Sequence, residues 1–285
     1  MAISTKLASK LALGFVLPII TFYSCGKRAI QDDISAKSMD KKEEHIQNEA
    51  STDIYSLNQE KALEKALNLA QQNINSSKFI ETFETKVKGF ADISTSIEIG
   101  YLFSSEKRHI IVRRKSEMDV YLNIYSISKE KPVLALFYEQ GGLEYVSDTI
   151  QDVNGDQQPD FLINWYGSIG CCLKNFYDVY LLEKNANKFS NGYEFTNPTF
   201  SVKEKMVRGV GYGHPGATYL YKFHWDGFNI DTLEYIFPDE KRKGQYLKSA
   251  TEPYDADEVQ EIRLKSVPIE YKGIYGYDWF LGKIN

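Results

Sequence analysis

Methionine, cysteine and histidine are scarce in this chain, at four, three and four of 285 residues. With so few thiols and imidazoles, zinc chemistry has little to draw on. No H-E-x-x-H occurs, so a zincin centre is unsupported. No G-x-S-x-G occurs either, because Tyr166-Gly-Ser-Ile-Gly170 carries Tyr where the first glycine should stand. Positive charge is not in excess: 34 Lys+Arg against 39 Asp+Glu give a net charge of −5. Such a chain is a poor binder of phosphate backbones, which excludes nucleic acid as a general partner. No exact internal repeat is visible, and no apolar run reaches the ~20 residues that span a bilayer. What is present is apolar and aromatic. Hydrophobic residues make up 42%, which rules out wholesale disorder. Twenty Tyr and 16 Phe tilt the composition toward β structure.

The N-terminus reads as an address. Lys6 and Lys10 form a positive start, and Leu11 to Tyr23 form a short apolar run broken by Pro18. Phe22-Tyr23-Ser24-Cys25 follows and resembles a bacterial lipobox, with Phe22 where Leu is usual. The resemblance implies cleavage after residue 24 and a diacylglyceryl thioether on Cys25. That would anchor the protein in the membrane of the bacterial cell envelope, facing the periplasm or the cell surface. Residues 25–53 are polar and include Asp40-Lys-Lys-Glu-Glu44, the composition of a flexible tether. About 28 such residues have an end-to-end distance of roughly 30 Å.

Ser56-Leu-Asn-Gln59 has the form of a capping box, and Leu57, Leu63, Leu67, Ala70 and Ile74 recur near helical spacing. An amphipathic helix is expected within 54–77. From residue 78 the period becomes two. Met118 to Ile127 alternates, with Val120, Leu122 and Ile124 on one face. Further strands are expected at Ser96–Phe103, His109–Arg113, Val133–Tyr138, Phe161–Tyr166, Tyr177–Leu182, Thr218–Trp225 and Phe228–Ile236. Asp226-Gly227 is a type I′ hairpin signal. Residues 78–285 should therefore form one all-β domain, a sandwich or propeller-like array of antiparallel hairpins.

The strongest chemical signal is Asp152-Val-Asn154-Gly-Asp156-Gln-Gln158-Pro-Asp160. Side-chain oxygens at Asp152, Asn154, Asp156 and Asp160, with the Gln158 carbonyl, could converge on a hard cation such as Ca²⁺. Two carboxylates ~5 Å apart repel by roughly 3 kcal/mol at an effective dielectric near 20, which a cation would relieve. The competing reading is a plain Asx-rich turn. An EF-hand is excluded, since Ile163 stands where the bidentate Glu belongs and no helices flank the loop. The segment resembles the Ca²⁺ loops of FG-GAP and VCBS-type β-repeat proteins, with Gln157 where Gly is usual. The order of this loop, Tyr166-Gly167-Ser168, Tyr177–Leu182, Asn197–Phe200, the glycines at 209–216 and Tyr221–Trp225 resembles envelope lipoproteins that include lysozyme-inhibitor-like immunity proteins. That resemblance covers about residues 135–236. It implies a calcium-stabilised β scaffold pressing loops into a partner enzyme.

Gly211-Tyr-Gly213-His-Pro-Gly216 matches G-x-G-x-x-G, but a strand pattern follows where a dinucleotide site needs a helix, so no nucleotide is expected. Tyr212 and His214 instead read as the tip of a recognition loop, paired with Tyr166 and Ser168 of the other glycine loop. His224 reads as structural, and Asp255, Asp257 and Glu258 as a solvated loop. Cys171 and Cys172 are adjacent. A vicinal disulfide, two buried thiols and an intermolecular bond all remain open, the first being strained because trans neighbours lie near 3.8 Å. The functional expectation is a lipid-anchored, calcium-binding, non-enzymatic envelope protein that binds a protein or glycan. Its alternatives are an inhibitor or immunity protein against a peptidoglycan-cleaving enzyme, and an envelope hydrolase.

Overall fold

The structure is a computed structural model that describes residues 37–117, 119–167, 172–253 and 261–283, with side chains described from Tyr55 onward. The chain divides at Glu49/Ala50, and the larger unit, Ala50–Asn285, carries all the described strands. Helix α1 (Lys37–Gln72) is followed by β1 (Lys78–Thr85), β2 (Ile93–Gly100), β3 (His109–Lys115), β4 (Asp119–Ser128) and β5 (Lys131–Gly141). These strands form the first sheet. β6 (Glu144–Gln151), β7 (Asp160–Tyr166), β8 (Asn175–Tyr180) and β9 (Tyr193–Thr196) form the second. β10 (Pro198–Ser201), β11 (Met206–Val210), β12 (Leu220–Asp226), β13 (Asn229–Pro238), β14 (Tyr246–Ser249) and β15 (Ile262–Leu264) form the third. Each sheet is an antiparallel meander in which chain neighbours are sheet neighbours. The last segment holds a 3₁₀ turn at Ile269–Tyr271 and a short helix, α2 (Tyr277–Phe280).

The three sheets stack face on face. Ile111, Leu122 and Ile124 of the first meet Phe161, Ile163 and Trp165 of the second. Leu162, Val179 and Phe195 on the reverse of the second meet Val207, Tyr221 and Trp225 of the third. The ends of the stack are closed differently. Ala66 and Ala70 of α1, with Ile74 just beyond its end, cover Ile97, Ile110 and Val112. Tyr271, Ile274 and Phe280 of the last segment cover Val210, Leu220 and Ile236. Strands in such a stack are buried on both faces. That is why β7 reads Phe-Leu-Ile-Asn-Trp rather than apolar–polar. A stack also needs ends that shield the outermost sheets.

Small residues and ion pairs set these contacts. Ala62, Ala66 and Ala70 are fully buried at i, i+4, i+8 and let the helix lie close to the sheet. Arg114 pins it there, donating to the Gln59 carbonyl at 2.7 Å and to Asn123 Oδ1 at 2.9 Å. Arg113 and Asp148 bridge the first and second sheets through two bonds of 2.6 and 2.7 Å. Glu234 takes Lys222 at 2.7 Å, Lys248 at 2.6 Å and the Tyr271 hydroxyl at 3.0 Å, tying the last segment to the third sheet.

Two local expectations are corrected. Ser56 lies inside α1 rather than at its start, because 37–72 contains no Gly or Pro and is rich in Ala, Leu, Lys, Glu and Gln. The helix thus begins within the segment expected to be a tether. The β12–β13 turn has positive φ at Gly227 (62°) but not at Phe228, the type II′ pattern rather than I′. The β4–β5 hairpin uses the I′ pattern without glycine, at Lys129 (φ 50°) and Glu130 (φ 58°).

Candidate functional site

The Asp152–Asp160 loop joins β6 to β7 and is closed by its own backbone. Asp152 accepts from the Gly155 N–H at 2.7 Å and the Gln157 N–H at 2.9 Å. Asn154 Oδ1 accepts from Asp156 N–H, and Asp156 Oδ1 from Gln158 N–H. Asp160 is fully buried, its two oxygens taken by Val153 N–H at 3.1 Å and Leu182 N–H at 2.9 Å. Burial raises the Asp160 carboxyl to about 7, against the pull of those two N–H groups and with help from the charges of Asp156 and Asp152. The backbone of this loop is left-handed at Gly155 (φ 75°) and at Gln157 (φ 70°). A Cβ on Gly155 would fall 2.8 Å from the Val202 carbonyl, so this residue also packs the loop onto the turn between β10 and β11. The donor set is all oxygen, as Ca²⁺ requires. Among the described residues, no three His, Cys, Asp or Glu side chains form a group that could hold a metal ion.

The 209–216 loop meets β8 and Cys172. Tyr212 is 54% exposed and stacks on Phe176 of β8, with centroids 6.4 Å apart at 24°. His214, also exposed, lies with Nδ1 4.0 Å from Sγ of the buried thiol of Cys172. Tyr166 is partly exposed at the end of β7, with Lys174 over its ring. Ser168, Cys171 and Cys25 lie outside the described residues, as do Asp255, Asp257 and Glu258. His214-Pro215-Gly216-Ala217 is a tight turn, with Gly216 at φ 71° and Ala217 N–H donating to the His214 carbonyl. Gly209 and Gly211 answer to tyrosine packing. A Cβ at Gly209 would fall 2.2 Å from Tyr221 Oη, and one at Gly211 2.4 Å from the Tyr219 ring. β12 follows this loop, so its glycines do not open a helix toward a phosphate.

An open cleft of about 820 Å³, with Phe176 in its lining, lies between the first and second sheets. Sequence reasoning missed it. Alternation along β8 turns Phe176, Asp178 and Tyr180 toward the first sheet. Register sets Asp178 opposite Glu194 of β9. From β5, Tyr138 reaches over to stack on Trp165 (5.6 Å, 25°) and donates its hydroxyl to Asp178 Oδ2. Trp165 Nε1 donates to the same oxygen at 2.8 Å. Burial raises the Asp178 carboxyl and the Glu194 charge adds to it, while the Tyr138 and Trp165 hydrogen bonds oppose them. The available signal was a carboxylate in the inward phase of an aromatic strand, inside the run Tyr177–Leu182.

No family model, no curated protein and no solved structure matches the chain. No helix among the described residues is long and apolar enough to cross a membrane.

Proposed function

We propose that this protein is a lipid-anchored, non-enzymatic binding module of the bacterial cell envelope that presents an aromatic surface to an envelope protein or glycan. The observation that carries the reading is the Tyr212–Phe176 stack. It joins an exposed loop tip to an aromatic cleft through a ring held on a strand, giving one continuous contact surface. Aromatic rings supply large contact area at low entropy cost. Cys25 carries the anchor, and Tyr166, Ser168, Tyr212 and His214 belong to the contact surface. In a narrower form of the same reading, supported by the family resemblance, the partner is a peptidoglycan-cleaving enzyme that the loops inhibit.

Ca²⁺ belongs to this proposal as a stabiliser of the Asp152–Asp160 loop. The oxygen donors there suit it, with the carboxylates of Asp152 and Asp156 turning part of their coordination from N–H groups to the ion. Retention of envelope components on the immobilised mature chain tests the contact surface. Wild type should retain a component that Tyr212→Ala retains at least about fivefold less. Equal retention by both, or none by either, would overturn the reading. A melting temperature raised by millimolar Ca²⁺ and restored by chelator, with Asp156→Ala indifferent to both, tests the ion.

A second reading, glycoside hydrolysis, has one observation behind it. Asp178 and Glu194 are directly opposed carboxylates in an aromatic cleft, and one of them has a raised pKa. Release of reducing ends from peptidoglycan, abolished by Glu194→Gln, would favour it over the binding module.

A further inference from the structure

Two carboxylates, Asp178 and Glu194, face the cleft between the first and second sheets, and among the described residues no Lys, Arg or His lines it; Glu139, next to Tyr138 on β5, turns its carboxylate to Tyr121 on the opposite face. Its other walls are largely aromatic. Like charges directly opposite across a strand pair are destabilising, yet Asp178 faces Glu194 in register. The two side chains that hold Asp178, Tyr138 and Trp165, are neutral donors on a single oxygen. They fix the carboxylate's orientation without cancelling its charge. Elsewhere in the same domain Asp148 is matched by Arg113, and Glu234 by Lys222 and Lys248, while the fully buried Asp160 is held by two backbone N–H groups. In the open cleft no cation among the described residues lines Asp178 and Glu194. Acid groups between low-dielectric walls focus the field and draw in cations. Aromatic faces reward a cation's head and its methylene stem alike.

We propose that this cleft receives a basic side chain, lysine or arginine, presented by a polypeptide partner. A carboxylate-bearing or phosphate-bearing ligand is opposed by the lining charge. A neutral sugar could use the rings and accept the carboxylates as hydrogen-bond partners, but it would leave the charge surplus unanswered. A basic side chain answers both features at once, its ammonium or guanidinium lying against Asp178 and Glu194 and its stem lying along Tyr138 and Tyr180. The volume, about 820 Å³, admits more than one side chain, so a short segment with neighbouring basic residues fits the space better than a single amine. This inference rests on the reading of the protein as a binding module and names the chemistry of what it binds.

Titration calorimetry with tri-lysine peptide, and with neutral chitotriose as the comparison, tests it. Tri-lysine should bind at a single site, more weakly as salt is raised from about 20 to 150 mM, over which the screening length falls below about 10 Å. Asp178→Asn and Glu194→Gln should each lower its affinity about tenfold. Glu194 is exposed, so its variant keeps the fold even if Asp178→Asn does not. Absence of tri-lysine binding, equal binding by wild type and Glu194→Gln, or preference for chitotriose would each overturn the proposal. Failure here with Tyr212-dependent envelope capture intact would remove the cationic chemistry alone. Loss of that capture would remove the binding-module reading beneath it.

Discussion

Replacing Asp160 by Asn should change how stability depends on pH. In the folded protein burial holds this carboxyl at about 7, against 3.8 for an exposed aspartate. That gap corresponds to roughly 4 kcal/mol. Because the folded value is raised, the group's stabilising contribution is fully present below about pH 3.8 and is lost as pH rises through about 7. From pH 5 to pH 8.5, wild type in chelator should therefore lose on the order of 2–3 kcal/mol through this one group. Asparagine keeps one carbonyl oxygen for either Val153 N–H or Leu182 N–H and sets an NH₂ against the other. The variant should thus be less stable by about 1–3 kcal/mol at pH 5, where wild type retains most of its protonated carboxyl. It should equal or exceed wild type at pH 8.5. Urea denaturation of both proteins at the two pH values measures this. His109 titrates in the same window with the opposite sign, since burial lowers its pKa and folding weakens as pH falls below 6.5. Its effect is common to both chains and drops out of their difference. A wild type-minus-variant stability that stays constant across the window would refute the claim that Asp160 is held protonated.

Replacing Lys129-Glu130 by Asn-Gly should stabilise the β4–β5 hairpin by about 1 kcal/mol, since both residues occupy the left-handed region, and chemical denaturation would show it as a raised midpoint at unchanged slope. Arg113→Ala should cost about 3–5 kcal/mol by leaving Asp148 buried and unpaired. Burial pushes the Asp148 carboxyl up, but Arg113 and Tyr145 outweigh it and hold it below the usual 3.8. Without Arg113 burial prevails and raises that carboxyl, so the penalty should shrink as falling pH protonates it, which denaturation midpoints at pH 3 and pH 7 would compare. Gly211→Ala should destabilise by about 1–3 kcal/mol, because its Cβ would fall within the Tyr219 ring. A melt unchanged within a degree would show that the ring moves aside freely.

Central strands were legible in the sequence because stacking buries them on both faces and loads them with apolar residues. β3, β4, β7 and β12 all fall where periodicity or an apolar run placed them. Among the edge strands β5 was legible in its centre, at Val133–Tyr138, but β1 and β6 were not. β1 reads Lys-Phe-Ile-Glu-Thr-Phe-Glu-Thr and β6 reads Glu-Tyr-Val-Ser-Asp-Thr-Ile-Gln, each half solvated and rich in charge. The short strands β9, β10, β14 and β15 offer three or four residues, too few to establish a period. That Tyr212 and His214 stand exposed on a loop was legible in the glycines around them. That Cys172 lies beside His214 and Phe176 beneath Tyr212 depends on how the second and third sheets stack, which no local pattern encodes.

The cleft follows from a mismatch between stacked sheets. β5, the edge of the first sheet, runs for eleven residues, while β9, the corresponding edge of the second, has four. At the centre of this interface β3 and β4 pack on β7, and Ile124, Phe161 and Ile163 fill the space. Toward β8 and β9 the backbone ends too soon for packing to continue. Tyr138 and Trp165 close the inner wall, and Asp178 with Glu194 forms the floor. A purely structural edge of this kind would be expected to carry small or polar residues that shed water cheaply. Large rings are instead costly to leave beside solvent because they expose apolar area, and carboxylates set opposite each other repel. Both costs fall when a ligand covers them. On one face of β8, Phe176 meets Tyr212 and Asp178, two residues on, lies at the floor, so one rigid element sets the loop contact and the cleft contact at a fixed spacing. A partner able to place an apolar contact on Tyr212 and a basic side chain over Asp178 would meet both without any rearrangement of the sheets.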